Sequence, residues 1–135
     1  MHYIIGYFAS LTVFLALDAV WIMVIARAFY RRELRPLLRD NFLFTPALLF
    51  YLVYIAILFY LAVLPHTGDA ASLKHVMLSS ALLGLAAYGT YNMTNYAVLN
   101  HWSLRVTYVD SMWGVIVTSC AGIAGYYAVT LSFNS

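Results

Sequence analysis

The sequence predicts an all-α membrane protein: one domain, residues 1–135, built as an antiparallel bundle of four transmembrane helices with both termini on the non-cytoplasmic side. Three observations predict it. The chain is 64% hydrophobic and only 9% charged, where a soluble domain carries roughly a quarter charged residues. Four runs, at 3–26, 46–64, 76–98 and 106–131, approach or exceed the ~20 apolar residues that cross a bilayer. Between these runs, the arginines are distributed unevenly.

The first run is long enough to span alone. It has neither a basic leader nor a small-x-small cleavage site behind a short apolar stretch, so it reads as a membrane span and not as a cleavable signal peptide. The second run is punctuated by Thr45 as a cap, Pro46 in the first turn and Pro65 at the close. The third and fourth follow with short connections, which make sequential neighbours antiparallel. All four are too long and too poor in alternation for membrane strands.

Orientation follows from the basic residues. Arg27, Arg31, Arg32, Arg35 and Arg39 lie in the first connection and Arg105 in the third, whereas the second holds only Lys74. Basic connections stay in the cytoplasm. The first connection, "RAFYRRELRPLLRDNF", mixes Phe29, Tyr30, Leu34, Leu37 and Leu38 with its arginines. It reads as a segment lying along the headgroups, with Arg27, Arg31, Arg32 and Arg105 as candidate contacts to lipid phosphate. A formal charge of +2 gives no reason to invoke nucleic acid. Cys120 is the sole cysteine, so there is no intramolecular disulfide, and it reads as a small packing residue.

Within this apolar chain the polar residues repeat a pattern. Asp18 and Trp21 stand one helical turn apart in the first run, and Asp110 and Trp113 do so in the fourth. The first run heads inward and the fourth outward, so both aspartates fall in the cytoplasmic half of the membrane. In the third run, Tyr88, Tyr91, Asn92 and Asn95 share one helix face at the same depth. An aspartate at mid-membrane costs about 2.5–3.5 kcal/mol on insertion scales. The expected arrangement therefore turns Asp18, Asn92, Asn95 and Asp110 towards one another, or towards a small wet cavity. Two facing carboxyl groups in low dielectric would share a proton. Asp18, Trp21, Tyr88, Tyr91, Asn92, Asn95, Asp110 and Trp113 make the candidate ligand pocket. The bland alternative is a polar clamp fixing helix register, with Trp21 and Trp113 as interfacial anchors.

Trp102 reads as an anchor. The second run has tyrosines but no acid, base or amide, and is expected to face lipid or to close the pocket apolarly. The fourth is rich in small residues, Gly114, Thr118, Gly122 and Gly125, which suits a central helix or an oligomer contact. No phosphate-binding loop, dinucleotide fingerprint, His-Glu-x-x-His or Cys-x-x-Cys is present. The four histidines lie outside the spans, so no metal or haem site is built and no cofactor is implied.

The series Leu17-Asp18-Ala-Val-Trp21, Phe29-Tyr30, Tyr91-Asn92-Met-Thr94-Asn95 and Asp110-Ser-Met-Trp113-Gly114 resembles the bacterial DUF2177 family of small predicted membrane proteins over nearly the whole chain. The resemblance implies a four-helix protein of a bacterial inner membrane and no established activity. The family pattern often has aspartate where this chain has Asn92, which implies one fewer proton-carrying group.

The leading functional expectation is a protein that binds, and modifies or moves, a lipid-like amphiphile of the cytoplasmic leaflet. Acids and amides would hold its head, and tryptophans and tyrosines its apolar part. A proton-coupled transporter or channel working as a homo-oligomer is the second reading. A structural subunit of a larger membrane complex is the third. No residue is singled out as catalytic.

Overall fold

The computed structural model describes residues 1–37 and 43–135. Arg39 and Leu38 of the basic connection therefore lie outside the described residues. The described chain is helical almost throughout, as four rods: α1, His2–Leu37; α2, Phe44–His66; α3, Leu73–Val98; and α4, Leu104–Asn134. Three of them, α1, α2 and α4, are long and apolar enough to cross a membrane. The serines, tyrosines and asparagines of α3 dilute its apolar content, although its 26 residues give it a length of ~39 Å at about 1.5 Å per residue.

Two boundaries differ from the sequence reading. The first helix does not end near Ala26. It passes through a π turn at Trp21–Ala26, continues as α-helix over Arg27–Leu34 and tightens to a 3-10 turn at Arg35–Leu37. Nothing in 27–34 breaks a helix, and the first proline, Pro36, falls in the closing turn. The basic segment is thus a helical continuation of α1. Its end is tied to the start of α4, where Ser103 Oγ donates to Glu33 Oε2 at 2.7 Å. The same Ser103 oxygen caps α4 by accepting from the Val106 N–H. The second difference is at Thr45, which caps nothing: α2 starts at Phe44 behind Leu43, without a side-chain cap. Pro46 does sit in its first turn, and α2 closes through a 3-10 turn around Pro65.

Helix α4 is central. Along its contact with α1, His2 meets Ser132, Ser10 Oγ donates to the Ala121 carbonyl at 2.8 Å, and Trp113 reaches Asp18. Along α3, Ser80 lies at Gly122, Gly84 at Gly114 and Thr118, and Asn92 at Asp110. Both series run in opposite directions on the two helices, so each pair is antiparallel. The small residues permit this approach. A Cβ on Gly114 would enter the Tyr88 ring, one on Gly122 would meet the Ser80 side chain, and one on Gly125 the Ser10 hydroxyl. The glycines of α4 are therefore packing surfaces within the monomer.

Helix α2 leans on α1 and α4 through Tyr54, Ile55 and Leu58, in a core shared with Phe14, Val117 and Ala121, while its Phe59 and Val63 pack in a second cluster with Val76 and Val129. Large apolar side chains remain on the outside: Val24 is 77% exposed, and Ile4, Leu49 and Leu131 are exposed too. Apolar exposure on this scale is a surface for lipid tails rather than for water.

Candidate functional site

The repeated Asp-x-x-Trp pairs meet where α1 and α4 cross, and they exchange partners. Trp113 Nε1 donates to Asp18 Oδ1 across the helix interface at 3.2 Å. Trp21 Nε1 donates to the Tyr30 hydroxyl at 3.2 Å, and Tyr30 in turn donates to Asp110 Oδ1 at 2.6 Å. The two indoles stack face to face, with centroids 4.5 Å apart and planes within 6°. Each helix thus supplies an aspartate that is served by the tryptophan of the other, once directly and once through a tyrosine.

Two further helices complete the donor set. Tyr51 of α2 donates to Asp18 Oδ2 at 2.7 Å. Asn92 of α3 donates through Nδ2 to Asp110 Oδ2 at 2.6 Å, and to the Tyr88 carbonyl at 2.8 Å. All four carboxylate oxygens therefore accept one hydrogen bond each, and no direct hydrogen bond joins the two carboxyl groups. Each aspartate has its own donors, in place of the shared proton that facing carboxyl groups would use. Asp18 and Asn92 are buried and Asp110 is half-buried. The carbonyl oxygen of Asn92 is buried with no donor.

The structure brings together Asp18, Trp21, Tyr88, Asn92, Asp110 and Trp113 of the candidate residues. Two others stand apart. Tyr91 is exposed and meets Trp102 edge-on at 5.7 Å. Asn95 is half-buried, and its side chain makes no hydrogen bond to the cluster. Of the basic residues, Arg27, Arg31, Arg32 and Arg105 are all exposed. Arg32 pairs with Glu33 at 3.5 Å and lies over the Phe29 ring.

Two site residues come from places the sequence reading did not assign to the pocket. Tyr51 belongs to the helix expected to be apolar towards the site. Helix α2 also sends Tyr54 to Thr118, with 2.8 Å between the hydroxyls. Tyr30 lies nine residues beyond Trp21, which in an unbroken α-helix is about half a rotation away. The π turn at Trp21–Ala26 has more residues per turn and swings Tyr30 back to the aspartate face. Such turns recur at functional sites.

Beside the tryptophan stack, α1 and α4 leave a groove of about 310 Å³ lined by Trp21, Tyr108, Val109, Met112, Trp113 and Ile116. Two of its lining residues, Trp21 and Trp113, donate their indole N–H groups into the hydrogen-bonded network of the carboxylates.

A family model described as a predicted membrane protein, DUF2177, matches residues 3–127. The chain belongs to this family, and it is a membrane protein by that match and by its three apolar helices. No curated protein and no solved structure matches it.

Proposed function

We propose that this protein holds a lipid-like amphiphile, with its tail in the groove beside the tryptophan stack and its head at Asp18 and Asp110. The observation that supports this is the position of the groove. Its walls are apolar, as a hydrocarbon tail requires, and two of the residues that line it, Trp21 and Trp113, donate their indole N–H groups into the carboxylate network. A polar cluster that served only as a clamp would need no such groove.

In this reading all four helices cross the membrane. Helix α3 is long enough, and Asn92 and Ser80 face α4 instead of lipid. The arginine distribution sets the end of α1 and the start of α4 in the cytoplasm and both termini outside. The membrane is then the inner membrane of a bacterium. Helix α1 is 36 residues long, ~54 Å at about 1.5 Å per residue, against a hydrocarbon core of about 30 Å. Its last turns therefore emerge, with Arg27, Arg31 and Arg32 level with Arg105 and within reach of headgroups.

The test is mass spectrometry of small molecules retained through purification in a mild detergent. The expected result is a co-purifying amphiphile that is lost when Met112 and Ile116 are both changed to Trp, which fills the groove without touching the aspartates. Equal retention by the groove-filled variant would overturn the assignment. Retention of nothing by either protein would leave the cluster as a clamp in a structural subunit.

A further inference from the structure

We infer that the amphiphile taken by this site is a cation, with an ammonium head, and this rests on the groove reading given above. The cluster contains two carboxylates whose four oxygens are met by a tyrosine hydroxyl or an N–H of Trp113, Asn92 or, behind Tyr30, Trp21. Every one of these donors is neutral. Among the described residues, no arginine, lysine or histidine touches either aspartate, and the ion pair present, Arg32–Glu33, is elsewhere. Two acidic side chains in an apolar surrounding thus have hydrogen bonds but, among the described residues, no cationic partner.

A second observation points the same way. Asn92 has no solvent exposure, its amide is held 2.6 Å from Asp110, and its Oδ1 has no donor. What the cluster lacks is therefore a positive charge and a donor, and an ammonium N–H supplies both. A phosphate, sulfate or carboxylate head would bring further acceptors and negative charge to a site already built on two acids. An alcohol head would satisfy Asn92 and still bring no cation to those acids.

The approach suits a cation as well. Trp21 and Trp113 wall the groove together with Tyr108, and indole faces attract ammonium groups electrostatically. The tryptophan pair would thus attract the head along the groove, towards the network into which their indole N–H groups donate.

The experiment uses the full chain in a neutral maltoside detergent and three probes with the same tail, each below its micellar concentration: dodecylammonium, dodecanol and dodecanoate. Binding is read from the shift in melting temperature and from tryptophan emission. The ammonium probe is expected to bind at least about tenfold more tightly than dodecanol, equivalent to ~1.4 kcal/mol, with dodecanoate weakest. Asp18→Asn with Asp110→Asn should bring the three probes to parity. The ranking in the parent protein decides the matter even if that variant fails to fold. Equal binding of all three by the parent would overturn the cationic assignment while leaving the groove in place. Binding of none would overturn the groove reading and this inference with it.

Discussion

Trp113 lies one turn from Asp110 on α4, yet its indole N–H is given to Asp18 of α1, 3.2 Å away. The intrahelical neighbours of each Asp-x-x-Trp pair are not hydrogen-bond partners. The motif works because two copies face each other on antiparallel helices, so that each tryptophan projects to the level of the opposite aspartate. Trp113→Phe keeps most of the stack on Trp21 and removes only this bond. It should lower stability by ~1–2 kcal/mol, at the upper end of membrane hydrogen bonds, because Asp18 would keep Tyr51 as its sole donor. Thermal unfolding in detergent measures it.

Tyr30 and Tyr51 offer a sharper comparison. Tyr51→Phe removes one donor from Asp18. Tyr30→Phe removes a donor from Asp110 and also the acceptor of the Trp21 N–H. Loss of Tyr30 should therefore cost about twice as much as loss of Tyr51, where a single membrane hydrogen bond averages ~0.6 kcal/mol. Equal losses would mean that Trp21 finds another acceptor and that the tyrosine relay is incidental.

The Tyr30 relay also marks where the sequence stopped being legible. The four helices could be read from run length, and the meeting of Asn92 with Asp110 and the nearby placing of Asp18 from helical spacing, because those readings need only regular α-geometry. Tyr30 needs the π turn at Trp21–Ala26, whose sequence, WIMVIA, is ordinary apolar helix. The extension of α1 to Leu37 was hidden behind its arginines, which read as a connection although none of them breaks a helix. Tyr51 was hidden for another reason: α2 has several tyrosines, and spacing does not tell which one faces α1. Asn95 erred in the opposite sense, since it shares a face with Asn92 on a straight α3 but lies one turn past the level of Asp110.

The glycines separate close approach from mere helical tolerance. A Cβ on Gly114 would collide with the ring and Cβ of Tyr88, whereas one on Gly89 would stand 3.8 Å from Leu85, an ordinary contact. Gly89→Ala should leave stability unchanged or raise it by up to ~1 kcal/mol, from helix propensity. Gly114→Ala should push α3 off α4, part the Asn92–Asp110 hydrogen bond and lower the melting temperature by several degrees. Similar melting temperatures for the two variants would contradict the packing between α3 and α4.

Topology can be checked without the ligand. If the arginine distribution orients the chain, tags at either terminus are reached by membrane-impermeant reagents from outside, and a cysteine at Arg31 is not. Labelling of that cysteine from outside, with both termini protected, would invert the proposed depth of the aspartate cluster. Only the end from which the head enters would change, since the contacts among α1, α3 and α4 do not depend on orientation.

The last prediction weighs amide against alanine at the aspartates. At Asp110 an amide oxygen can still accept from Asn92, while its NH₂ turns to the Tyr30 hydroxyl, which has a second lone pair beside the one taken by Trp21. One tyrosine O–H is then left without a partner. At Asp18 the amide oxygen can accept from Trp113 and the NH₂ can meet Tyr51, with the same single loss. Alanine at either position strands two donors in an apolar surrounding and opens a space. Each Asn variant should therefore lose ~1 kcal/mol or less and each Ala variant ~2 kcal/mol or more, read from unfolding in detergent. The double Asn variant should stay folded, with its tryptophan stack intact by near-ultraviolet circular dichroism, and should no longer distinguish an ammonium amphiphile from an alcohol. Stability as low as in the Ala variants would show instead that the carboxyl groups hold α1, α3 and α4 together in a way that an amide cannot replace, and the ammonium assignment would lose its support.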